Sequence, residues 1–182
     1  QMISFELDEV KDYTFSEPLN PLPFIPLKNQ EEAIYEELTL QVIALQKRIQ
    51  SMPASSKNII IGISGGLDST LALLCAHRAV TGLGLNPKTI IGVTMPSSVT
   101  AQETKSRAHD MMAFLGVEAI EIPIKEMVDI HLKSIKHSGE EDITYENAQA
   151  RIRTLQLMDL SNKHHGFVLG TGDLSEIALG FM

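Results

Sequence analysis

The order of apolar and polar positions predicts a strand, a tight turn and a helix in the first half of the chain. Isoleucine fills four of the five positions from 59 to 63, a run typical of a strand buried on both faces of a parallel sheet. Two glycines follow at 65 and 66, and they predict a turn whose backbone can approach a ligand closely. From Asp68 onward helix formers dominate, and apolar residues recur at helical spacing as far as Val80.

The residues before this unit fall into two parts. Prolines at 18, 21, 23 and 26 lie within nine positions, and proline at that density excludes a helix or a central strand. We therefore predict that residues 1–29 form a linker and that a domain spans residues 30–182. Its first helix begins at Gln30 and ends near Pro53, with one apolar stripe made by Ile34, Leu38, Val42, Leu45 and Ile49.

The second half of the chain continues the alternation of strands and helices. We predict strands at 89–95, 117–124 and 167–170, helices at 100–115, 126–136 and 144–164, and a loop at 137–142. A capping box is expected to begin at Thr100, while Gly116 and Gly166 are expected to end helices.

This alternation predicts an α/β fold, a doubly wound parallel sheet with flanking helices. In such sheets ligands bind beyond the carboxyl ends of the strands. The segments 64–69 and 171–176 both follow predicted strands. We therefore expect the two segments to build one site.

The turn after the first strand, Ser64-Gly65-Gly66-Leu67-Asp68-Ser69, has the composition of a phosphate-binding loop. A strand, a glycine turn and a helix direct free N–H groups and the positive end of the helix dipole at an anion. The spacing and the lysine of the kinase-type phosphate loop are absent. A carboxylate at Asp68 suits the recruitment of Mg²⁺ to the phosphates. The alternative is an ordinary turn in which Asp68 and Ser69 cap the helix.

The predicted helix after residue 144 has an unusually polar face. Asn147 and Arg151 are four residues apart and share one face, as do Gln149 and Arg153. Amide and guanidinium groups suit a ligand with carboxylate, phosphate or ribose oxygens. The alternative is a solvated face with internal pairs, such as Glu146 with Arg153.

A second polar cluster follows the last predicted strand. Here Gly170-Thr171-Gly172 is followed by carboxylates at Asp173 and Glu176. We expect Glu176 to complete a Mg²⁺ site with Asp68, since magnesium takes one or two carboxylates plus substrate phosphates. The alternative is capping of a helix by Thr171 or Asp173.

Composition narrows the class of protein. The 182 residues are 43% hydrophobic and 21% charged, which is ordinary for a globular protein. A net charge of −8 argues against a nucleic-acid partner. The single cysteine, Cys75, excludes an internal disulfide and is expected to be a small core residue. No apolar run approaches the roughly 20 residues of a membrane helix, so we expect a cytoplasmic protein with no membrane partner.

The turn at 64–69 resembles the S-G-G-x-D-S motif of the ATP pyrophosphatase (PP-loop) superfamily. Two further blocks make the resemblance more specific: E-N-x-Q-A-x-x-R at 146–153 and L-G-T-G-D-L-S-E at 169–176. In this order the three blocks resemble the glutamine-dependent NAD synthetases, and the likeness runs from about residue 24 to residue 179. It implies the Rossmann-like fold of the adenine nucleotide alpha hydrolases.

The resemblance also implies roles for individual residues. Asp68 and Glu176 are implied as catalytic residues and as the ligands of Mg²⁺. Contacts to deamido-NAD are implied for Asn147, Arg151 and Glu176. Contacts to ATP are implied for Gly62, Ser64, Gly65, Gly66, Leu67, Asp68, Ser69 and Thr171.

The reaction implied by the resemblance is the ATP-dependent amidation of deamido-NAD to NAD through an adenylate. It releases AMP and pyrophosphate, and the ammonia is free or comes from glutamine. The family members are ligases that form homo-oligomers such as dimers, and in the glutamine-dependent form a glutaminase domain precedes the linker. We therefore expect residues 1–29 to follow such a domain. Residues 30–182 are expected to be an ATP-pyrophosphatase-type synthetase domain truncated at its C-terminus.

Two alternatives stay open at this point. Another PP-loop amidating ligase, such as a GMP synthetase-like domain, would share the phosphate loop, but the block at 146–153 counts against it. A non-catalytic adenine-nucleotide-binding module is the other alternative. Binding alone does not require both Asp68 and Glu176, so their presence favours an enzyme.

Overall fold

The computed structural model describes residues 28–97 and 102–180, with residues 102–106 described by their backbone alone. The chain divides into two compact units, residues 1–37 and residues 38–182. Most of the predicted linker, and the Thr100 of the predicted capping box, lie outside the described residues. The predicted boundary after residue 29 stays a prediction.

Helices and strands follow one another along the described chain in the predicted order, with two consecutive helices before the last strand. The helices are α1 (Gln30–Ser51), α2 (Leu67–Gly82), α3 (Gln102–Leu115), α4 (Lys125–Ser134), α5 (Ile143–Lys163) and α6 (Leu174–Leu179). The strands are β1 (Asn58–Gly62), β2 (Ile90–Thr94), β3 (Glu118–Glu121) and β4 (Gly166–Val168). A single turn of 3-10 helix, Pro87–Thr89, leads into β2.

The four strands form one parallel sheet in the order β3-β2-β1-β4. The chain builds outward from β1 through β2 to β3, and then returns to place β4 on the other side of β1. This confirms the predicted doubly wound parallel sheet. The change of direction lies between β1 and β4, and such switch points are where ligands bind in open α/β sheets.

The core occupies both faces of the sheet because successive side chains of a strand point to opposite sides. Ile59 and Ile61 pack in the cluster that includes residues of α1, α2 and α3. Ile60 belongs to the other face, where it packs with Leu160 of α5. All three isoleucines are fully buried, and burial of each such side chain is worth about 1.5–3 kcal/mol. The prediction of a strand buried on both faces is confirmed.

Two predicted boundaries are wrong for physical reasons. Strand β3 ends at Glu121 rather than near 124, because the ring of Pro123 fixes its φ at about −65°, away from the φ of a regular parallel strand. Gly166 does not end α5: His164 is the C-cap and His165 takes the left-handed conformation, with φ of 51°. Gly166 instead begins β4, whose residues are partly buried rather than fully buried.

The described residues contain no helix that is both long enough and apolar enough to cross a membrane.

Candidate functional site

The site is built where the chain leaves β1 and β4, at the switch point of the sheet. Each strand continues for one further backbone hydrogen bond beyond its last paired residue. Ile63 donates its N–H to the carbonyl of Val93 at 2.8 Å, and Leu169 donates to the carbonyl of Ile60 at 2.9 Å. The segments 64–69 and 169–176 therefore both start at the carboxyl edge of the sheet, as predicted.

The turn after β1 is held by its own hydroxyl and backbone groups. Gly65 takes a positive φ of 86°, which an L side chain rarely adopts. The Ser64 hydroxyl accepts a hydrogen bond from the N–H of Gly66 at 3.1 Å and lies 3.1 Å from the Ser69 hydroxyl. Ser69 is buried and also donates to the carbonyl of Gly66 at 3.2 Å. The turn is thus a compact, internally bonded loop.

The N-terminus of α2 has no side-chain cap. Its N-cap residue is Gly66, which has no side chain to accept from the first N–H groups of the helix; the backbone N–H from which the Ser64 hydroxyl accepts is that of Gly66 itself. The alternative interpretation, in which Asp68 and Ser69 cap the helix, is therefore wrong. Asp68 is exposed and makes no hydrogen bond or ion pair with any residue that the structure describes. Uncapped N–H groups at the positive end of a 16-residue helix suit an anion.

The segment after β4 ends in a capped helix. Asp173 is the N-cap of α6 and accepts a hydrogen bond from the N–H of Glu176 at 2.7 Å. The Glu176 carboxylate accepts in return from the N–H of Asp173 at 3.0 Å, through its Oε2 atom. The alternative interpretation of this cluster, helix capping by Asp173, is confirmed. The other carboxylate oxygen of Glu176, Oε1, is not used in this capping box and is available for another role.

Two cavities share residues 169–172 in their linings. The first, the α2 cavity, has a volume of about 560 Å³ and is lined by the segment 169–174 together with Gln41, Ala44, Leu45, Asp68, Leu71, Ala72 and Cys75. The second, the α5 cavity, has a volume of about 620 Å³ and is lined by the segment 168–172 together with Gly62, Glu146, Asn147, Ala150, Thr154, Leu157, Met158, Glu176 and Ile177.

The predicted site residues divide between these cavities. Thr171 lines both, Asp68 lines the α2 cavity, and Asn147 and Glu176 line the α5 cavity. Asp68 and Glu176, predicted to share a metal ion, are thus not lining residues of one cavity. Arg151 is exposed and does not line the α5 cavity beside Asn147. The described residues contain no group of three or more His, Cys, Asp or Glu side chains placed to hold a metal.

A third cavity involves Arg153, which the sequence placed on a polar helix face but to which it assigned no particular ligand. It has a volume of about 310 Å³ and is lined by Ile63, Ser64, Thr94, Met95, Pro96, Ala108 and Arg153; we call it the Arg153 cavity. Arg153 forms no pair with Glu146, which was the alternative interpretation of this polar face. Instead, its Nε donates to the carbonyl of Met95 at 3.5 Å. Burial lowers the pKa of the guanidinium. The sequence signal for this position is the neighbouring apolar residue Ile152, which is buried. Arg153 therefore lies at the edge of the face of α5 that packs on the sheet.

Cys75 is a core residue, as predicted. Its side chain is buried, and the thiol donates to Oε1 of Gln41 at 3.3 Å. Burial raises the pKa of the thiol, so the group stays protonated and is a poor nucleophile.

Comparison with known proteins gives one consistent family. The sequence model of the NAD synthase family matches residues 37–182. The glutamine-dependent NAD(+) synthetase of Mycobacterium leprae is 42% identical over 166 residues, which cover 87% of this chain and 24% of that protein. The NH(3)-dependent NAD(+) synthetase of Pyrobaculum aerophilum is 37% identical over 129 residues, which cover 70% of this chain and 46% of that protein.

A solved structure supports the same assignment. The glutamine-dependent NAD+ synthetase of Acinetobacter baumannii, in complex with adenosine diphosphate, superposes with a TM-score of 0.72 at 30% identity, covering 86% of this chain and 28% of that one. The chain spans about a quarter of the length of the glutamine-dependent relatives. Because the family model covers residues 37–182, and the sheet, the glycine turn and the capped segment lie within that range, the chain belongs to the NAD synthase family.

Proposed function

We propose that the chain is the synthetase domain of an NAD synthetase, a ligase that converts deamido-NAD to NAD at the expense of ATP. Family membership and the relatives named above support this activity. The single observation that carries it is the uncapped N-terminus of α2, which opens beside the switch point of the sheet. A phosphate-binding loop at that place is what adenylation by ATP requires.

The proposed reaction has two steps. An oxygen of the nicotinate carboxylate attacks the α-phosphorus of ATP, the bond from that phosphorus to the bridging oxygen breaks, and pyrophosphate leaves. Ammonia then attacks the carbonyl carbon of the adenylate, the bond to the AMP oxygen breaks, and the nitrogen loses one proton. No covalent bond to the protein forms, so the chain acts by positioning the substrates and stabilising charge.

We assign the phosphate loop, Ser64 to Ser69, and Thr171 to ATP. The N–H groups at the start of α2 are the donors for its phosphates, and the hydroxyls of Ser64 and Ser69, bonded to each other, hold the loop in shape. Asn147 and Glu176, which line the α5 cavity, are assigned to deamido-NAD. Arg151 is assigned to the same substrate from its exposed position one turn further along α5.

Magnesium fits this site through Asp68 more readily than through Glu176. The Asp68 carboxylate has no partner among the described residues, whereas one Glu176 oxygen is engaged in the cap of α6. When bound, Mg²⁺ would neutralise phosphate charge, with Asp68 and the free oxygen of Glu176 as its protein ligands. A site completed by substrate phosphates needs no cluster of three protein ligands.

The other parts of the proposal come from the family and from composition. The nitrogen source is free ammonia, or glutamine through a glutaminase domain upstream of the linker in the complete protein. We further propose a cytoplasmic homo-oligomer, such as a dimer, with no nucleic-acid or membrane partner.

The test is whether deamido-NAD triggers cleavage of ATP. In the complete protein, with ATP, Mg²⁺ and ammonium present, adding deamido-NAD is expected to start the release of pyrophosphate and AMP and the formation of NAD. The nucleotide substrate of a GMP synthetase is the matched control and is expected to release none. ATP binding without any release of pyrophosphate on addition of deamido-NAD would instead support the non-catalytic module.

A further inference from the structure

The three cavities differ in the charge of their lining residues. The α2 cavity is lined by Asp68 and Asp173, and the α5 cavity by Glu146 and Glu176. The Arg153 cavity has no acidic residue among its described lining residues, and Arg153 is its charged group. The chain as a whole has a net charge of −8, whereas the described lining of this cavity is positive and favours the binding of an anion over that of a cation.

The part of the chain that the structure describes compensates the guanidinium of Arg153 poorly. Within that part its one hydrogen bond, from Nε to the carbonyl of Met95, is long at 3.5 Å. Among the described residues no carboxylate forms an ion pair with it. Partial burial removes water from the group and lowers its pKa, which is the effect expected of a cation that lacks a counter-charge. A bound anion would offset this cost, because charge-assisted bonds to an oxyanion replace the lost water.

The cavity adjoins the phosphate loop through a shared residue. Ser64, whose hydroxyl is part of the hydrogen bonding of the loop, lines the Arg153 cavity. Thr94 lines it as well, at the carboxyl end of β2. The planar fork of an arginine matches the oxygens of a phosphate group. An anion in this cavity would therefore be within the region to which the loop directs a nucleotide.

We propose that Arg153 binds a phosphate group of the nucleotide in the Arg153 cavity, next to Ser64 of the phosphate loop. The proposal rests on the proposed function only for the identity of the nucleotide. The anion site itself requires neither deamido-NAD nor catalysis. Arg153 thereby supplies a positive charge at a site where the loop offers hydroxyl and N–H groups but no basic side chain.

The test compares binding of ATP, inorganic pyrophosphate and adenosine by calorimetry in three variants. Arg153→Gln is expected to weaken the binding of ATP and of pyrophosphate by at least about tenfold, because charge-assisted hydrogen bonds are lost. Adenosine, which has no phosphate, is expected to bind as before. Arg153→Lys keeps the charge without the fork, so its affinities are expected to lie between those of Arg153→Gln and the unsubstituted chain. Lys88→Gln, an exposed charge before β2, removes the same charge elsewhere and is expected to change none of the affinities.

Three results would overturn the proposal, and a fourth would overturn only the proposed function. ATP and pyrophosphate affinities in Arg153→Gln that equal those of Lys88→Gln would show that Arg153 touches no phosphate. A loss of adenosine binding equal to that of ATP in Arg153→Lys would assign Arg153 a purely structural role at Met95. No binding of ATP or pyrophosphate by the unsubstituted chain would overturn it as well. Binding of ATP that depends on Arg153, with no pyrophosphate released on adding deamido-NAD, would refute the proposed function and leave this site standing.

Discussion

The hydroxyl oxygens of Ser64 and Ser69 lie 3.1 Å apart, bridging the turn between β1 and α2. Ser69 is buried, and it also donates to the carbonyl of Gly66 three residues earlier. The two serines therefore close the turn from inside, and the Ser64 hydroxyl also accepts from the N–H of Gly66. This relationship makes the shape of the loop depend on one buried hydroxyl.

Ser69→Ala is expected to weaken ATP binding about fivefold to tenfold, since loss of a hydrogen bond of about 1 kcal/mol frees the loop to adopt other shapes. The matched control is Ser161→Ala, because Ser161 is also buried and its hydroxyl donates to the carbonyl three residues earlier, Met158, at 2.7 Å. Both variants are expected to lose about 1 kcal/mol of unfolding free energy in urea. Equal ATP affinity in the two variants, measured by calorimetry, would contradict a role for the loop in binding.

The second prediction separates the metal role of Glu176 from its structural role. Glutamine can replace glutamate in a capping box, so Glu176→Gln is expected to keep α6 folded while losing the negative charge. Asp68→Asn likewise removes the negative charge of the side chain while keeping its size. Each variant is expected to cut turnover with deamido-NAD by two or more orders of magnitude, as for loss of a main electrostatic stabiliser. The measurement is the release of pyrophosphate as a function of Mg²⁺ concentration.

Glu176→Ala is the control for the cap, since alanine removes both the charge and the capping bond. A loss of turnover in Glu176→Ala alone, with normal rates in Glu176→Gln at saturating Mg²⁺, would leave Glu176 a purely structural residue. Near-normal rates in Asp68→Asn would remove the metal assignment of Asp68.

The third prediction concerns the α5 face. Asn147→Ala is expected to weaken the binding of deamido-NAD by about tenfold and that of ATP by much less, because Asn147 lines the α5 cavity. Arg151→Lys loses the planar fork and is expected to weaken deamido-NAD more than ATP as well. The control is Asn162→Ala, an exposed asparagine near the other end of the same helix. If ATP affinity fell as far as that for deamido-NAD, the α5 cavity would have to be reassigned to the nucleotide.

A pH-dependent contribution to stability is expected at the start of α5. The N-cap Asp142 accepts from the N–H of Tyr145 at 3.0 Å, and His137 Nε2 lies 3.0 Å from the same oxygen. The hydrogen bond from the Tyr145 N–H, followed by that from His137, lowers the pKa of Asp142. Since Nδ1 of His137 accepts from the N–H of Gly139, the neutral ring carries its proton on Nε2 and donates it to Asp142.

The sign of the effect follows from the lowered pKa. The folded state favours the ionised carboxylate of Asp142. The contribution of this carboxylate to the free energy of unfolding is therefore present above its unfolded pKa of about 3.9, and it is lost as the pH falls through the lower pKa of the folded state. Asp142→Asn is therefore expected to be less stable than the unsubstituted chain in urea at about pH 7 and equally stable well below about pH 3. Asp159→Asn, an exposed substitution inside α5, is the control. A constant difference across this pH range would rule out the charge of Asp142 as the cause.

Much of the fold and of the loop could be predicted because local pattern and tertiary structure agree there. The isoleucines at 59–61 predicted burial on both faces, and two glycines at 65 and 66 predicted the turn. Helical spacing named Arg153 as well as Arg151 but could not say that Arg153 lines a cavity while Arg151 is exposed, because that depends on how α5 packs on the sheet. The segment at 173–176 was ambiguous for another reason: a carboxylate three residues after an N-cap suits a capping box and a metal site alike.

Gly166 shows the same ambiguity and gives the last prediction. A glycine just after a helix suggests a C-terminal stop, yet the structure needs this glycine for a close approach between strands. A Cβ at Gly166 would meet the backbone carbonyl oxygen of Asn58, its partner in β1. Asn58 cannot easily move, because its side-chain amide donates to the carbonyl of His164 at 2.7 Å.

Gly166→Ala is therefore expected to lower the unfolding free energy by about 1–3 kcal/mol, the cost of forcing extra volume into a packed position. The control is Gly170→Ala, where a Cβ would meet no atom within 4 Å, and urea unfolding compares the two. Because β4 leads directly into the segment 169–172, which lines both the α2 and the α5 cavity, Gly166→Ala is also expected to weaken ligand binding. A stability equal to that of Gly170→Ala would mean that β4 can shift away from β1 at little cost, and the close approach would then not be the reason for glycine.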